Sequence, residues 1–258
     1  MTDDARWISA LRSSHDRFAG LVGGLSADQV TGPSYDDEWT IADVASHLGS
    51  QAEIFEPFLD AGLTGGPAPA NDTFPPIWDR WNAMAPADQV RESVERNEAF
   101  VQRLEGLSAD DRSAFRVALF GSDQDLAGFA SMRLGEHAVH TWDVAVALDP
   151  AATVSADAVD LLVDGIDARL GRVGKPVNGA PPVVVATTSP ERRFHLELQP
   201  AVSRVPADPS SADAAADVTL PAEAFLRLVF GRLDPEHTPQ ALADDATVAT
   251  LRQAFPGF

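Results

Sequence analysis

Glu136 and His140 stand one helical turn apart in residues 133–143, a stretch whose residue types could bind a metal ion. The stretch lies inside an uninterrupted helical pattern over residues 123–148. Side chains at positions i and i+4 of a helix lie on one face, so this carboxylate and this imidazole can reach the same ion. A catalytic metal site commonly has three protein ligands and an open position. His47 is the strongest remaining candidate for the third ligand.

Taken alone, His47 is better explained as a hydrogen-bonded histidine on an apolar helical face. Glu136 changes that balance, because a glutamate is rarely buried without a partner. Packing in a helical bundle can bring the two helices together and complete the three ligands. Two histidines and a carboxylate suit Zn²⁺, or another divalent metal such as Fe²⁺ or Ni²⁺. From spacing alone, a metal site and ordinary polar contacts both stay open.

Three neighbouring residues have competing interpretations. His137 is a rival ligand, although it points about 100° away from Glu136 on a helix. The order Glu-His-x-x-His also differs from His-Glu-x-x-His, so the metalloprotease interpretation does not apply. Asp143 is assigned to the cofactor site as a residue that orients a ligand, and the alternative is a salt-bridge partner or an exposed residue. Trp142 is predicted to pack in the core.

Composition and charge exclude several classes of function. The 258 residues carry a net charge of −20, which argues against nucleic acid or an anionic membrane as a partner. There is no cysteine, so a cysteine nucleophile is excluded and any thiol must come from a cofactor. The first twenty residues do not resemble a signal peptide, and no apolar run approaches the roughly 18 residues of a membrane span. We therefore expect a cytoplasmic protein.

Helical periodicity over the first 148 residues predicts the elements that hold these side chains. Apolar positions form a stripe over residues 4–25, and Thr40 with Asp43 forms a capping box that opens a second helix to about residue 59. Residues 62–76, rich in glycine and proline, are predicted as a loop. A further helical stretch is predicted from about residue 74, and it resumes over residues 87–104. A capped turn is predicted at Ser108, and a fourth long helix is predicted to be capped at Ser122. Four long helices indicate a four-helix bundle.

The sequence pattern changes after residue 150. Strands are predicted over residues 182–188, 193–198 and 216–220, helices over residues 155–172, 221–230 and 247–255, and an exposed connection over residues 206–215. We therefore predict an α+β fold with two domains, a four-helix bundle over residues 1–150 and a small α+β domain over residues 151–258.

Two motifs in the bundle carry a family resemblance: WTIADVASHL at residues 39–48 and EHAVHTWDV at residues 136–144. Together they resemble the DinB-like bundle of the mycothiol-dependent maleylpyruvate isomerase family. Downstream, ADVTLP at residues 216–221 and FLRLVFGRL at residues 225–233 are similar to that family's sterol-carrier-like C-terminal domain. The resemblance spans nearly the whole chain.

Carried over residue by residue, the resemblance implies a metal triad of His47, Glu136 and His140, with mycothiol as the working thiol. It also implies two catalytic arginines, one in each domain. Arg80 and Arg232 are the positions that match them, and Arg232, in its Phe-Gly-Arg context, would also contact the cofactor. An ordinary surface role is the alternative for each arginine, and for Arg80 it is the favoured one.

The resulting hypothesis is a metal-dependent, mycothiol-using enzyme that acts on a small electrophile. Zinc is the first choice of metal, with nickel or iron as alternatives, and coordination would deprotonate the thiol. In an isomerase, the thiolate adds to an activated cis double bond, the bond rotates, and elimination releases the trans product. An S-transferase would use the same thiolate on another electrophile. The alternatives are a non-catalytic small-ligand-binding protein with a structural or absent metal, and metal-assisted hydrolysis. We expect a monomer or weak homodimer.

Overall fold

The computed structural model describes residues 3–35, 38–119, 121–206 and 215–257. The chain divides into two compact units, Met1–Thr153 and Val154–Phe258. The first unit is mainly helical and the second contains a four-stranded sheet, so the predicted α+β class is confirmed. None of the described helices is both long enough and apolar enough to cross a bilayer.

Four long helices pack together in the first unit, which confirms the predicted four-helix bundle. The described helices are α1 (Asp3–Val22), α2 (Ala27–Val30), α3 (Ile41–Thr64), α4 (Pro75–Asn82), α5 (Pro86–Glu105), α6 (Ala109–Ala114) and α7 (Leu126–Leu148). Strands β1 (Val117–Leu119) and β2 (Ser122–Gln124) form a small antiparallel pair before α7. Helix α1 contacts α5 and α7, and α3 contacts the same two helices.

The start of α3 is set by the predicted capping box. The Thr40 Oγ1 atom accepts a hydrogen bond from the Asp43 amide at 3.1 Å, and the Asp43 carboxylate accepts one from the Thr40 amide at 2.9 Å. These bonds satisfy amide groups that a helix start leaves without partners. Apolar residues behind the cap join a buried cluster that reaches from α1 to α7: Phe18, Val22, Ile41, Val44, Ala45, Leu48 and Val144.

The predicted loop over residues 62–76 is wrong in its first three residues, because α3 continues to Thr64. Gly62 serves packing here: a Cβ atom at this position would lie 2.2 Å from the Phe115 ring. The helix ends instead at Gly65, which has a φ of 68°. A left-handed residue after the last helical turn is a common way to end a helix, and glycine adopts it without strain.

The predicted start of the fourth long helix at Ser122 is also wrong. Ser122 lies in β2, paired with Leu119, and Gly121 between the two strands has a φ of 87°. The helix begins at Leu126, and its cap is Asp125, whose carboxylate accepts a hydrogen bond from the Gly128 amide at 2.9 Å. The strand pairing uses the backbone groups of residue 122, so this serine cannot also start the helix.

The second unit is a four-stranded sheet with helices. Its described elements are α8 (Ala156–Leu162), α9 (Asp167–Val173), β3 (Val183–Thr188), β4 (Arg192–Glu197), β5 (Ser203–Val205), β6 (Val218–Pro221), α10 (Ala222–Val229) and α11 (Ala246–Ala254). The strand order is β5-β4-β3-β6, with β3 antiparallel to β4 and parallel to β6. Helix α10 packs on β3 and β6, and the Phe225 ring lies 4.8 Å from that of Phe194.

Two predictions for this unit need correction. The continuous helix over residues 155–172 is wrong, because a 3₁₀ turn at Val163–Gly165 separates α8 from α9. Strand β5 was not predicted; it has three residues and lies at the sheet edge, too short for an alternating pattern. Of the connection predicted over residues 206–215, residues 207–214 lie outside the described residues.

Candidate metal centre

His47 on α3 and the pair Glu136 and His140 on α7 come together where the two helices meet. The Oε2 atom of Glu136 lies 3.6 Å from the Nε2 atom of His47 and 3.8 Å from the Nε2 atom of His140. The two imidazole centroids are 4.5 Å apart. All three side chains are partly exposed, so a small ligand can reach them.

The spacing of these atoms fits a metal ion. Both N···O separations exceed the 2.7–3.2 Å typical of a hydrogen bond. Around a tetrahedral cation with ligand distances of about 2.0–2.1 Å, neighbouring ligand atoms lie about 3.4 Å apart. Two imidazole nitrogens and one carboxylate oxygen are also a donor set that Zn²⁺ and non-haem Fe²⁺ accept. The three residues can therefore hold a divalent metal with little rearrangement.

Asp143 contacts the far side of the His140 ring. Its Oδ2 atom lies 2.8 Å from the His140 Nδ1 atom, and its side chain is 3% exposed. A carboxylate in this position accepts a hydrogen bond from Nδ1–H, so the proton stays on Nδ1 and the lone pair of Nε2 points toward Glu136. The arrangement orients a histidine as metal sites commonly require.

Trp39 packs against both imidazole rings. Its ring is stacked on His140 at 6.0 Å and 15°, and tilted against His47 at 5.3 Å and 57°. Sequence reasoning assigned no role to this residue. The available signal was its position directly before the Thr40 cap, where a large apolar side chain often packs back on the helix.

Gln51 and Arg133 extend the polar network behind the triad. The Gln51 Nε2 atom lies 2.9 Å from the His47 Nε2 atom and donates to the Glu136 Oε2 atom at 3.1 Å. The Gln51 Oε1 atom accepts a hydrogen bond from the Arg133 guanidinium at 2.8 Å. Sequence reasoning assigned no role to either residue, although Gln51 follows His47 at the same i, i+4 spacing that links Glu136 and His140.

Burial keeps the free His47 imidazole neutral. The pKa of His47 is lowered to about 4, mainly by desolvation and also by the neighbouring His140 imidazole, while Glu136 opposes the shift. A metal binds the unprotonated imidazole. At neutral pH, a cation therefore does not have to displace a proton from His47.

His137 faces away from the triad. It is fully buried, and its Nδ1 atom lies 2.8 Å from the Ser14 hydroxyl on α1 and 3.3 Å from the Thr141 hydroxyl. Burial lowers the pKa of His137 well below its usual value. Trp142 is also buried, as predicted, and its indole donates to the Ala152 carbonyl at 2.9 Å.

Arg80 lies on α4, where it forms an ion pair with Glu53, and its side chain is 46% exposed. Its guanidinium also lies 5.8 Å from the Trp81 ring. These are the contacts of a surface arginine, the interpretation that the sequence favoured. A role for Arg80 at the triad stays a prediction.

Arg232 belongs to the second unit and is the third residue after the end of α10. It is buried, and its guanidinium donates to the Phe230 carbonyl at 2.7 Å. The preceding Gly231 has a φ of 71°, and a Cβ atom there would lie 2.2 Å from Gly257. The turn and this close approach account for the glycine of the Phe-Gly-Arg motif. A catalytic role for Arg232 stays a prediction.

Comparisons with known proteins identify the family and the fold of the chain. A sequence model of the family described as Mycothiol maleylpyruvate isomerase N-terminal domain matches residues 11–145. Two solved structures, the mycothiol-dependent maleylpyruvate isomerase and a histidine-to-alanine mutant of it, each match with a TM-score of 0.63 and 16% identity over 90% of both chains. At this identity the likeness shows the fold alone.

A third structure is YfiT from Bacillus subtilis, described as a probable metal-dependent hydrolase with an unusual four-helix bundle topology. It matches with a TM-score of 0.41 and 15% identity over 56% of this chain and 87% of its own, which supports no conclusion here. No curated protein sequence matches the chain.

Proposed function

Because the chain belongs to the mycothiol maleylpyruvate isomerase N-terminal domain family, we propose that it is a metal-dependent enzyme that uses mycothiol on a small electrophile. The observation that carries the proposal is the meeting of His47, Glu136 and His140, whose ligand atoms lie within 4.8 Å of one another. The lack of cysteine is consistent with a thiol supplied from outside the chain.

A divalent metal, with zinc as the first choice, would supply one chemical function at this site: it would deprotonate a bound thiol at neutral pH. The chain's own residues prepare that function. Asp143 holds the His140 tautomer that presents Nε2 to the site. Glu136 supplies the anionic ligand, and the packing of Trp39 limits the motion of both imidazoles.

With a divalent metal bound, the local charge at the site would favour an anionic ligand, although the whole chain carries a net charge of −20. Glu136 and Asp143 each contribute a negative charge, and the fully buried Arg133 contributes a positive one. A bound dication therefore leaves the site with a net positive charge. A thiolate or a carboxylate-bearing electrophile would be attracted to it.

Within this proposal, the first candidate reaction is a cis–trans isomerisation, and S-transfer to an electrophile is the second. The two differ in their products, because an isomerase returns free thiol and a transferase yields a stable thioether. Arg232 and Arg80 keep their predicted role, recognition of an anionic group on the substrate or thiol, as part of the proposal.

Replacing His47 by alanine tests the proposal directly. We expect His47→Ala to lose at least about 100-fold in metal affinity and in mycothiol-dependent turnover, since it removes one of three ligands. Metal content after loading and dialysis, measured by elemental analysis, checks the first expectation. His195→Ala, in β4 of the second unit, is the matched control and should load like the wild type. Equal metal loading in the two variants would show that His47 is not a ligand. A wild-type protein that loads fully with metal but shows no thiol-dependent turnover would contradict the enzymatic assignment.

A further inference from the structure

The amide of Gln51 stands between the candidate metal ligands and a buried arginine. Its nitrogen lies 2.9 Å from the His47 Nε2 atom and 3.1 Å from the Glu136 Oε2 atom. Its oxygen accepts a hydrogen bond from the Arg133 Nη1 atom at 2.8 Å. Each end of the amide therefore faces a different chemical group.

Arg133 determines which end of the amide faces the ligands. Its guanidinium is fully buried and donates to the Leu48 carbonyl at 2.9 Å and to the Asn97 side-chain oxygen. A guanidinium has donors and no acceptor. Turning the amide around would place its N–H groups against those of Arg133, and leaving a buried charged donor without an acceptor is costly. The Gln51 oxygen must face Arg133, so the nitrogen must face His47 and Glu136.

Helical spacing places the same kind of pair on both helices. On α3, Gln51 follows His47 by four residues, and on α7, Arg133 precedes Glu136 by three. Residues at these spacings lie on one helix face. Helix α3 thus contributes one ligand of the triad and α7 contributes two, and each helix adds one residue of the supporting network.

We propose that Gln51 is a positioning residue of the metal site that acts as a fixed hydrogen-bond donor, not as a metal ligand, and that Arg133 acts through it. This inference rests on the proposed metal site. The hydrogen bond from the Gln51 amide to Glu136 orients the Oε2 atom of Glu136 toward His47 and His140. A cation bound to His47 Nε2 would occupy the lone pair that faces Gln51. The Gln51 N–H released from His47 would still point into the site, where an anionic ligand such as a thiolate could accept its hydrogen bond.

Cobalt binding tests the donor role without an activity assay. We expect Gln51→Leu to weaken Co²⁺ binding about 10- to 100-fold, as removal of groups that orient metal ligands does. The visible absorption bands of the bound Co²⁺ should keep their wild-type shape, because all three ligands remain. Gln89→Leu is the matched control: Gln89 is a buried glutamine on α5 whose amide donates to the Trp81 carbonyl. It should lower the Tm and leave Co²⁺ affinity unchanged.

Gln51→Glu separates a donor from a ligand. Glutamate keeps an oxygen toward Arg133 and replaces the N–H groups by an oxygen that can bind a cation. We expect altered Co²⁺ absorption bands, because the site gains an oxygen ligand. Wild-type bands in Gln51→Glu together with altered bands in Gln51→Leu would show that an oxygen of residue 51 already binds the metal, and would overturn the proposal.

Coupling between the two residues tests the part played by Arg133. In the Gln51→Leu background, Arg133→Met should produce no further loss of Co²⁺ affinity, whereas a separate structural effect would add to the first. If Arg133→Met does not fold, Arg133→Lys gives the same comparison, since it retains the charge and loses the planar fork. Additive losses would overturn the role of Arg133.

The outcomes also distinguish this inference from the proposed function. A wild-type protein that does not bind Co²⁺ at all would remove the metal site itself. A wild-type protein that binds Co²⁺ with the same affinity as Gln51→Leu would remove only the role of Gln51.

Discussion

At the scale of single residues, burial separates the histidines of the bundle into two groups. His47 and His140 keep part of their rings exposed and meet Glu136 between α3 and α7. His15 and His137 are buried, and their rings lie 6.4 Å apart. His15 Nε2 lies 2.9 Å from a Glu98 carboxylate oxygen. His15 and His137 are part of the core, so we expect their protonation to affect the stability of the fold.

The stability of the protein should therefore fall in mild acid partly because of His15. Burial lowers the pKa of His15 below its usual value, and Glu98 only partly offsets this. Below the unfolded pKa of about 6.5, the unfolded chain binds a proton that the folded chain resists, so stability present above that pH is lost as the pH falls. We expect the free energy of unfolding to fall less in His15→Gln than in the wild type between about pH 7.5 and pH 5.5. Urea unfolding at both pH values measures it, and equal losses in the two proteins would contradict the prediction.

At the scale of elements, α3 carries His47 and Gln51 and depends on close approach of two aromatic rings. A Cβ atom would lie 2.3 Å from Trp81 at Gly49 and 2.2 Å from Phe115 at Gly62. Both glycines lie inside the helix, where glycine has a low propensity. The rings occupy the space that a side chain would need, so packing outweighs propensity in this helix.

Alanine should consequently have opposite effects at two helical glycines. Gly62→Ala forces the Phe115 ring to move and should destabilise the protein by about 1–2 kcal/mol. Gly20→Ala, at an exposed position of α1 with nothing within 4 Å, should stabilise it by about 0.5–1 kcal/mol. Chemical denaturation of both variants provides the measurement. If Gly62→Ala were as stabilising as Gly20→Ala, the contact with Phe115 would not explain this glycine.

At the scale of the whole molecule, metal binding and folding should be linked. The triad joins residues 89 and 93 positions apart in the chain, so it forms only when α3 and α7 are packed together. A ligand that binds only the folded state stabilises it by mass action. The unfolded chain lacks the assembled site and gains nothing comparable.

Free Zn²⁺ at 100 times its Kd should raise the free energy of unfolding by about 2.7 kcal/mol. The expected signature is a Tm that increases with metal concentration in the wild type and stays constant in His47→Ala. Calorimetry at several Zn²⁺ concentrations, with a chelator to reverse the effect, makes the comparison. A Tm that does not respond to Zn²⁺ in the wild type would count against a metal bound at the triad.

The local periodicity of the sequence determined much of this protein. The 3.6-residue repeat placed Glu136 and His140 on one face of a helix, and the side chains of Thr40 and Asp43 marked where α3 begins. Two short runs of strand-forming residues on either side of a Ser-Pro-Glu-Arg turn likewise located β3 and β4. These features depend on neighbours within a few positions, and such neighbours are visible in a sequence.

Only the tertiary structure decided which distant groups meet. The spacing of residues says nothing about the 3.6 Å between His47 and Glu136, about Arg133 setting the direction of the Gln51 amide, or about the ring that occupies the space beside Gly62. The same limit explains the error at Ser122, where pairing with Leu119 took the backbone groups that a helix start would have used. Contacts between distant segments depend on how whole elements pack, because the partner of each group is chosen by the fold and not by its neighbours in the chain.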